Sequence, residues 1–224
     1  MYTTTPRGLE DLVAQYPPNP TPYSNWVIPE KVICGAYPMV RDKEKCVDYL
    51  RSLLSAGVTT FVCLQEESEL SMLPEYKNSL QCIHRELADH ESSSLQFIHF
   101  PIRDGSILHD VLLGSLVNVL EQRVFKNNEV LYIHCWGGHG RTGTLVACLL
   151  SKYYGLNADL ALELTQRLHD TRHDGVIAKS PETRVQVNQV RRIIGKYSVK
   201  SPYTASTALT PVMTPTNSVS AIPG

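Results

Sequence analysis

An α/β fold, built on a central, mostly parallel sheet of four to five strands with helices on both faces, is predicted by three observations. Short runs rich in β-branched and apolar residues, such as Val58 to Leu64 and Leu95 to Phe100, alternate along the chain with helical periodicities. The first of these runs is nearly continuous in apolarity, as a strand covered on both faces would be. The stretch Thr144-Leu145-Val146-Ala147-Cys148-Leu149-Leu150 is apolar around its whole circumference, which suits a helix buried through the middle of the domain.

Taken in order, the first strand is expected at Val32-Ile33-Cys34 and is followed by a helix near Lys43 to Ser55 that Gly57 ends. Val58 to Leu64 is the next strand, and Gln65 to Ser71 reads as a polar, acidic loop. A helix is expected over much of Glu75 to Ala88, and Pro101 closes the strand Leu95 to Phe100. Leu113, Leu116, Val117, Leu120 and Val124 recur at helical spacing, and Val130 to Ile133 is again a short strand. After the buried helix, Asn157 is suited to cap another that runs to about Arg167. Ser180-Pro181-Glu182 offers an N-cap, a first-turn proline and an early carboxylate for a last helix with Val187, Val190, Ile194 and Tyr197 on one face.

The 224 residues, 42% of them hydrophobic, suffice for one domain, expected over 25–197. Pro17, Pro18, Pro20 and Pro22 make residues 1–24 read as an extended arm, and the Ser/Thr/Pro-rich stretch 198–224 reads as a disordered tail. Basic and acidic residues nearly cancel, 21 against 22, which argues against a nucleic-acid partner. No apolar run approaches the roughly 20 residues that span a bilayer, which argues against integral membrane association. The six cysteines show no paired metal-ligand spacing, and Met1 to Pro6 lacks the apolar stretch of a secretory signal. A soluble, cytoplasmic chain with reduced thiols is the expectation.

The most informative segment is Val130-Leu131-Tyr132-Ile133-His134-Cys135-Trp136-Gly137-Gly138-His139-Gly140-Arg141-Thr142-Gly143. A strand, a glycine-rich turn and a buried helix in succession should gather the backbone N–H groups from Trp136 to Arg141 around one point at the positive end of a helix dipole. That point suits a phosphate, and Arg141 would add a planar, two-pronged contact. The same field should lower the Cys135 pKa below the free value of about 8.5 and make its thiolate a nucleophile. Gly137, Gly138 and Gly140 would let the backbone turn with no side chain filling the cradle, and Gly143 would let the helix approach its neighbours. His139 either shapes the loop or adds charge near phosphate, and Trp136 either flanks the pocket mouth or packs against the sheet. Thr142 is placed to donate to the thiolate as it leaves a phosphocysteine and His134 to brace the loop, although both are also compatible with purely structural roles.

The pattern His-Cys-x5-Arg-Thr-Gly resembles the signature of the cysteine-dependent protein tyrosine phosphatase superfamily, and most closely its small dual-specificity type. Trp26 to Pro38, Gly57 to Glu67 and His99 to Gly105 also resemble such domains, so the likeness covers roughly residues 25 to 197. It implies a phosphotyrosine protein phosphatase-like fold, phosphoprotein substrates and hydrolysis through a phosphocysteine without cofactor or metal. Arg141 and backbone donors take the role a cation would play. No sequence feature specifies an oligomeric state.

Thiolate attack on a phosphate monoester needs a proton for the departing oxygen. Asp104, 31 residues before Cys135 and just past a strand, matches where the superfamily carries its general acid, and Gly105 gives its loop freedom to close. Asp110 is the runner-up, in a position that a helix dipole explains by itself. For the second step classical relatives use glutamines near the last helix. Gln186 fits one of these, whereas Glu182 stands where another is expected and is better explained by helix stabilisation. Thr171-Arg172-His173-Asp174 is either a basic rim or, as the simpler reading, an exposed charged turn. Rival functions are an inositol-phosphate or phosphoinositide phosphatase and a non-catalytic phosphate-binding module. The loop interior holds no lysine to meet extra phosphates, which favours phosphoproteins, and nucleophile, arginine and acid are all present.

Overall fold

A computed structural model describes residues 8–39, 43–87 and 94–198. Five strands, β1 (Ser24–Ile28), β2 (Val32–Gly35), β3 (Thr60–Cys63), β4 (Gln96–His99) and β5 (Leu131–His134), form one sheet in the order β1-β2-β5-β3-β4. All neighbours run parallel except β1, which pairs antiparallel with β2. The expected mostly parallel sheet is therefore present, with a hairpin strand at one edge that the sequence reading did not include. The turn Pro29-Glu30-Lys31 contains no glycine or asparagine, and Glu30 itself takes the left-handed φ of 59°, so the usual hairpin signal is missing.

Side chains alternate between two cores, one on each face of the sheet. Leu131 and Ile133 of β5 and Val62 of β3 face one core, while Tyr132 and Phe61 face the other. The first core is covered by α1 (Leu9–Val13), α5 (Asp110–Phe125), α6 (Gly140–Tyr154), α7 (Ala158–His169) and α8 (Arg184–Ser198). The second is covered by α2 (Lys43–Ser55) and α4 (Lys77–Leu87). Helix α6 is buried along Gly140 to Ser151, in keeping with its all-round apolarity. Gly57 closes α2 with φ 87°, its N–H bonding Leu54 O and that of Val58 bonding Leu53 O, a paired closure that only a left-handed residue permits. Asn157 caps α7 by accepting from Leu160 N at 3.0 Å.

Three expectations need correction. The arm at 1–24 is not wholly extended: Leu9–Val13 is a helix whose Leu9 and Leu12, three positions apart, are buried in the first core, and Ser24 already belongs to β1. The prolines that suggested an arm all follow this helix. The acidic loop after β3 contains a one-turn helix, α3 (Glu67–Leu70), opened by a reciprocal capping box between Glu66 and Glu69. Helix α8 starts at Arg184, not at Ser180: Thr183 Oγ1 accepts from Gln186 N at 3.4 Å and Gln186 Oε1 from Thr183 N at 3.0 Å, so Thr183 is the cap. The tail expected over 198–224 lies outside the described residues from 199 onward, and the side chain of Tyr197 does too.

Because β4, β3 and β5 are parallel neighbours, the loops leaving their C-terminal ends emerge side by side. Such an edge is where open α/β sheets place their sites. These loops carry Asp104, Glu69 and Cys135.

Candidate active site

Cys135 follows the last residue of β5 and is 3% exposed, beneath the turn that opens α6. Every carbonyl of the turn is tied to a donor on its outer side. Trp136 O accepts from Tyr37 N at 2.8 Å, and Gly137 O and Gly138 O each accept from Arg172 at 3.2 Å. His139 O accepts from Gly143 N at 2.9 Å and Ser180 Oγ at 3.0 Å. The backbone N–H groups of Gly137, Gly138, His139 and Gly140, in contrast, donate to no acceptor among the described residues. A trans peptide with its carbonyl held outward turns the next N–H inward, so four unspent donors line the inside of the turn. Gly138 takes φ 73°, and a Cβ there would collide with the Gly35 carbonyl of β2, so the clash lies outside the cradle rather than within it. A Cβ on Gly143 would meet Ser180 Oγ, which explains the close approach at the start of α6.

The Arg141 guanidinium is fully buried and held as a fork. Glu69 takes both terminal nitrogens, with Nη2 to Oε1 at 2.8 Å. Nη1 also donates to Ile102 O at 2.9 Å, and Nη2 lies 2.9 Å from Asp104 Oδ1. Nε has no partner. Burial disfavours the Arg141 cation, but the Glu69 hydrogen bonds and nearby negative groups outweigh it, and its pKa is raised. Burial likewise pushes Glu69 up, and the bonds from Arg141 and the Glu66 backbone bring it down on balance. The two carboxylates differ sharply in exposure, 12% for Glu69 and 76% for Asp104, so one braces Arg141 from the interior and the other meets it from the solvent side.

The remaining candidates fall into place around this centre. His134 Nε2 lies 2.9 Å from Tyr76 OH and its Nδ1 lies 3.3 Å from Cys135 O; burial, above all, pulls its pKa down to about 3. Thr142 Oγ1, like Arg141 Nε, is buried without a hydrogen-bond partner among the described residues. His139 turns its ring away from solvent to meet His169, Nδ1 to Nε2 at 2.7 Å. Burial first and the Arg172 charge second lower both imidazoles, His169 to about 4, so the pair is neutral at pH 7 and adds no charge to the loop. Trp136 is 49% exposed and does not pack into the sheet. Gln186 is fully buried, and its Nε2 donates to Ser106 O at 3.2 Å, linking α8 to the loop that carries Asp104. Glu182 precedes α8 and stands with Gln186 against Gly140. Asp110 is no part of this group: Arg192, Gln189 and Lys196 hold its carboxylate well below the usual range, and it ties α5 to α8.

Sequence reasoning missed Glu69 and misjudged Arg172. Glu69 lies in the stretch taken for a polar loop, and its only local signal is the Glu66-x-x-Glu69 capping spacing. Arg172, read as part of an exposed turn, is 8% exposed and reaches the turn carbonyls from the far side. Ser180, taken for a helix cap, instead donates to His139 O.

Residues 21–187 match the family described as the Swiss Army Knife protein, DSP-PTPase phosphatase domain. The chain belongs to this dual-specificity and tyrosine phosphatase family. Curated relatives of the DSP-PTPase chain include "Putative tyrosine phosphatase 067L" of Invertebrate iridescent virus 3, 25% identical over 190 residues that cover 81% of this chain and 70% of the relative. Another is the dual specificity protein phosphatase CDC14C of Symphalangus syndactylus, 26% identical over 60% of this chain but only 25% of the relative. The chain thus spans about a quarter of the CDC14C protein. Among solved structures, Tk-PTP in its active form aligns with a TM-score of 0.58 and 21% identity, covering 78% of this chain and 98% of that one. PTPMT1 in complex with PI(5)P aligns with a TM-score of 0.59 and 14% identity, covering 80% and 98%. At these identities the two structures establish the shared fold.

Proposed function

We propose that this domain is a cysteine-dependent protein phosphatase that hydrolyses phosphotyrosine, with phosphoserine and phosphothreonine as further substrates, through a phosphocysteine intermediate. The observation that carries the reading is the turn around Cys135, with its carbonyls tied outward, its N–H groups unspent and the Arg141 fork beside it. In the first step the Cys135 thiolate attacks phosphorus. The S–P bond forms, the P–O bond to the substrate breaks, and Asp104 delivers a proton to the departing oxygen. In the second, water attacks the phosphocysteine and gives its proton to Asp104. Thiolate departs and inorganic phosphate forms, with the unpaired Thr142 hydroxyl suited to steady the leaving sulfur.

The names of the relatives support protein substrates, as does a loop interior of Trp136, Gly137, Gly138, His139 and Gly140 without lysine. The free cysteines and the absence, among the described residues, of any helix long and apolar enough to cross a membrane support a cytoplasmic setting. The test is a panel of phosphotyrosine, phosphoserine and phosphothreonine peptides and soluble inositol phosphates, assayed in chelator with wild-type and Cys135→Ser protein. We expect peptide turnover that Cys135→Ser lowers by on the order of 10⁴-fold or more with the fold intact. Faster turnover of inositol phosphates would transfer the assignment to that class, and turnover surviving in Cys135→Ser would overturn the mechanism.

A further inference from the structure

Arg172 is neither the nucleophile nor the acid and does not contact Arg141, yet both its terminal nitrogens are engaged on the back of the phosphate turn. Its Nη1 donates to Gly137 O and its Nη2 to Gly138 O, both at 3.2 Å, while Nε donates to Asn25 Oδ1 at 2.8 Å and Nη2 also meets Cys34 Sγ at 3.4 Å. Each carbonyl so held fixes a rigid peptide plane, and the next N–H, of Gly138 or of His139, points the opposite way. One guanidinium therefore sets two of the four donors that line the turn. A fork is needed for this, because a lysine ammonium would reach only one carbonyl with comparable geometry.

All of these acceptors are neutral, and no carboxylate pairs with Arg172 among the described residues. A buried cation without a counter-ion is costly unless an anion sits within reach. The centre of the turn is the place where one would sit.

The arm and the start of β1 hold the segment around Arg172 at three points. Asn19 Nδ2 donates to both Thr171 O and Thr171 Oγ1 at 2.9 Å, His173 N donates to Pro22 O at 3.0 Å, and Asn25 takes the guanidinium itself. Trp26 Nε1 donates to Pro18 O at 3.1 Å and so fastens the arm to β1. Residues 171, 172 and 173 thus each have one partner between Asn19 and Asn25.

We propose that the N-terminal arm is a working part of the phosphate site: it fixes Arg172, and Arg172 is a positioning residue that aims the Gly138 and His139 N–H groups at bound phosphate. The proposal rests on the phosphatase reading above, and its test separates the two. Orthovanadate binding is measured by thermal shift on the full chain, alongside kcat and KM on an aryl phosphate, for wild type, Arg172→Gln, Arg172→Lys and Asn19→Ala. We expect Arg172→Gln to weaken vanadate binding roughly tenfold or more and lower kcat/KM by about 100-fold. Arg172→Lys should recover part of the loss, and Asn19→Ala should weaken vanadate binding about threefold through the loosened bracket. A variant that melts earlier but binds vanadate as wild type does would mark Arg172 as structural only and overturn the proposal. If Arg172→Gln does not fold, Asn19→Ala decides, and unchanged vanadate affinity in it overturns the proposal. A wild-type chain that neither binds vanadate nor turns over substrate would instead overturn the phosphatase reading, and the proposal with it.

Discussion

Arg141 stands between two carboxylates whose burial assigns them different work. Glu69 is 12% exposed and binds the guanidinium in a bidentate fork, so removing its charge leaves a buried cation short of a partner. We expect Glu69→Gln, which keeps one acceptor, to lower kcat/KM roughly 10- to 100-fold by letting the fork swing from the phosphate position. Steady-state kinetics check this, and wild-type values would show that Glu69 is dispensable. Asp104, 76% exposed and 2.9 Å from Nη2, can leave Arg141 without disturbing packing, as a proton donor on a closing loop must. Asp104→Ala should slow hydrolysis of poor leaving groups by about 10² to 10⁴-fold and barely touch an activated aryl phosphate that needs no protonation. Equal losses on both substrates would remove Asp104 from the role of acid.

At the level of elements, the strand, turn and helix that form the cradle are consecutive in the chain, which is why Cys135, Arg141 and the turn between them were legible in the sequence. The braces were not, because their meaning arises only when distant segments meet: Glu69 reaches Arg141 across 72 positions and Arg172 reaches Gly137 across 35. An acidic stretch and a charged turn look the same in a sequence whether they face solvent or an arginine. The β1 hairpin stayed hidden for a different reason, its turn lacking the residues that usually announce one. The elements also bury two histidines in neutral form, His134 at the end of β5 and His169 at the end of α7, with burial as the main cause of pKa values of about 3 and about 4. Between the ordinary value near 6.5 and those values the unfolded chain takes up protons that the folded chain refuses, so stability rises with pH. That contribution is complete above about pH 6.5 and is lost as pH falls through the folded values, at no more than about 1.4 kcal/mol per pH unit for each group. We expect the melting temperature to decline steadily from pH 6.5 to 4, with a shallower slope in His169→Gln. A flat profile in wild type would contradict neutral burial.

Across the whole molecule, two cores flank one sheet, and the larger, between the sheet and α5 to α8, extends past the family match. That match begins at residue 21, yet Leu9 and Leu12 of α1 sit in the same cluster as Leu164 and Leu168 of α7. Helix α7 leads directly into Thr171 and Arg172, so the segment before the match supports both the core and the back of the phosphate turn. A five-residue helix has no stability of its own in water, and α1 is held by the burial of its two leucines. Emptying the 3%-exposed site of Leu12 by Leu12→Ala removes apolar contacts and leaves a cavity, a change that costs about 2–5 kcal/mol in packed cores. For a domain of this size that corresponds to a melting temperature lower by roughly 5–15 °C, read in a thermal scan at pH 7. If the first residues were an appendage the scan would not move, and the arm would lose its place both in the core and in the support of Arg172.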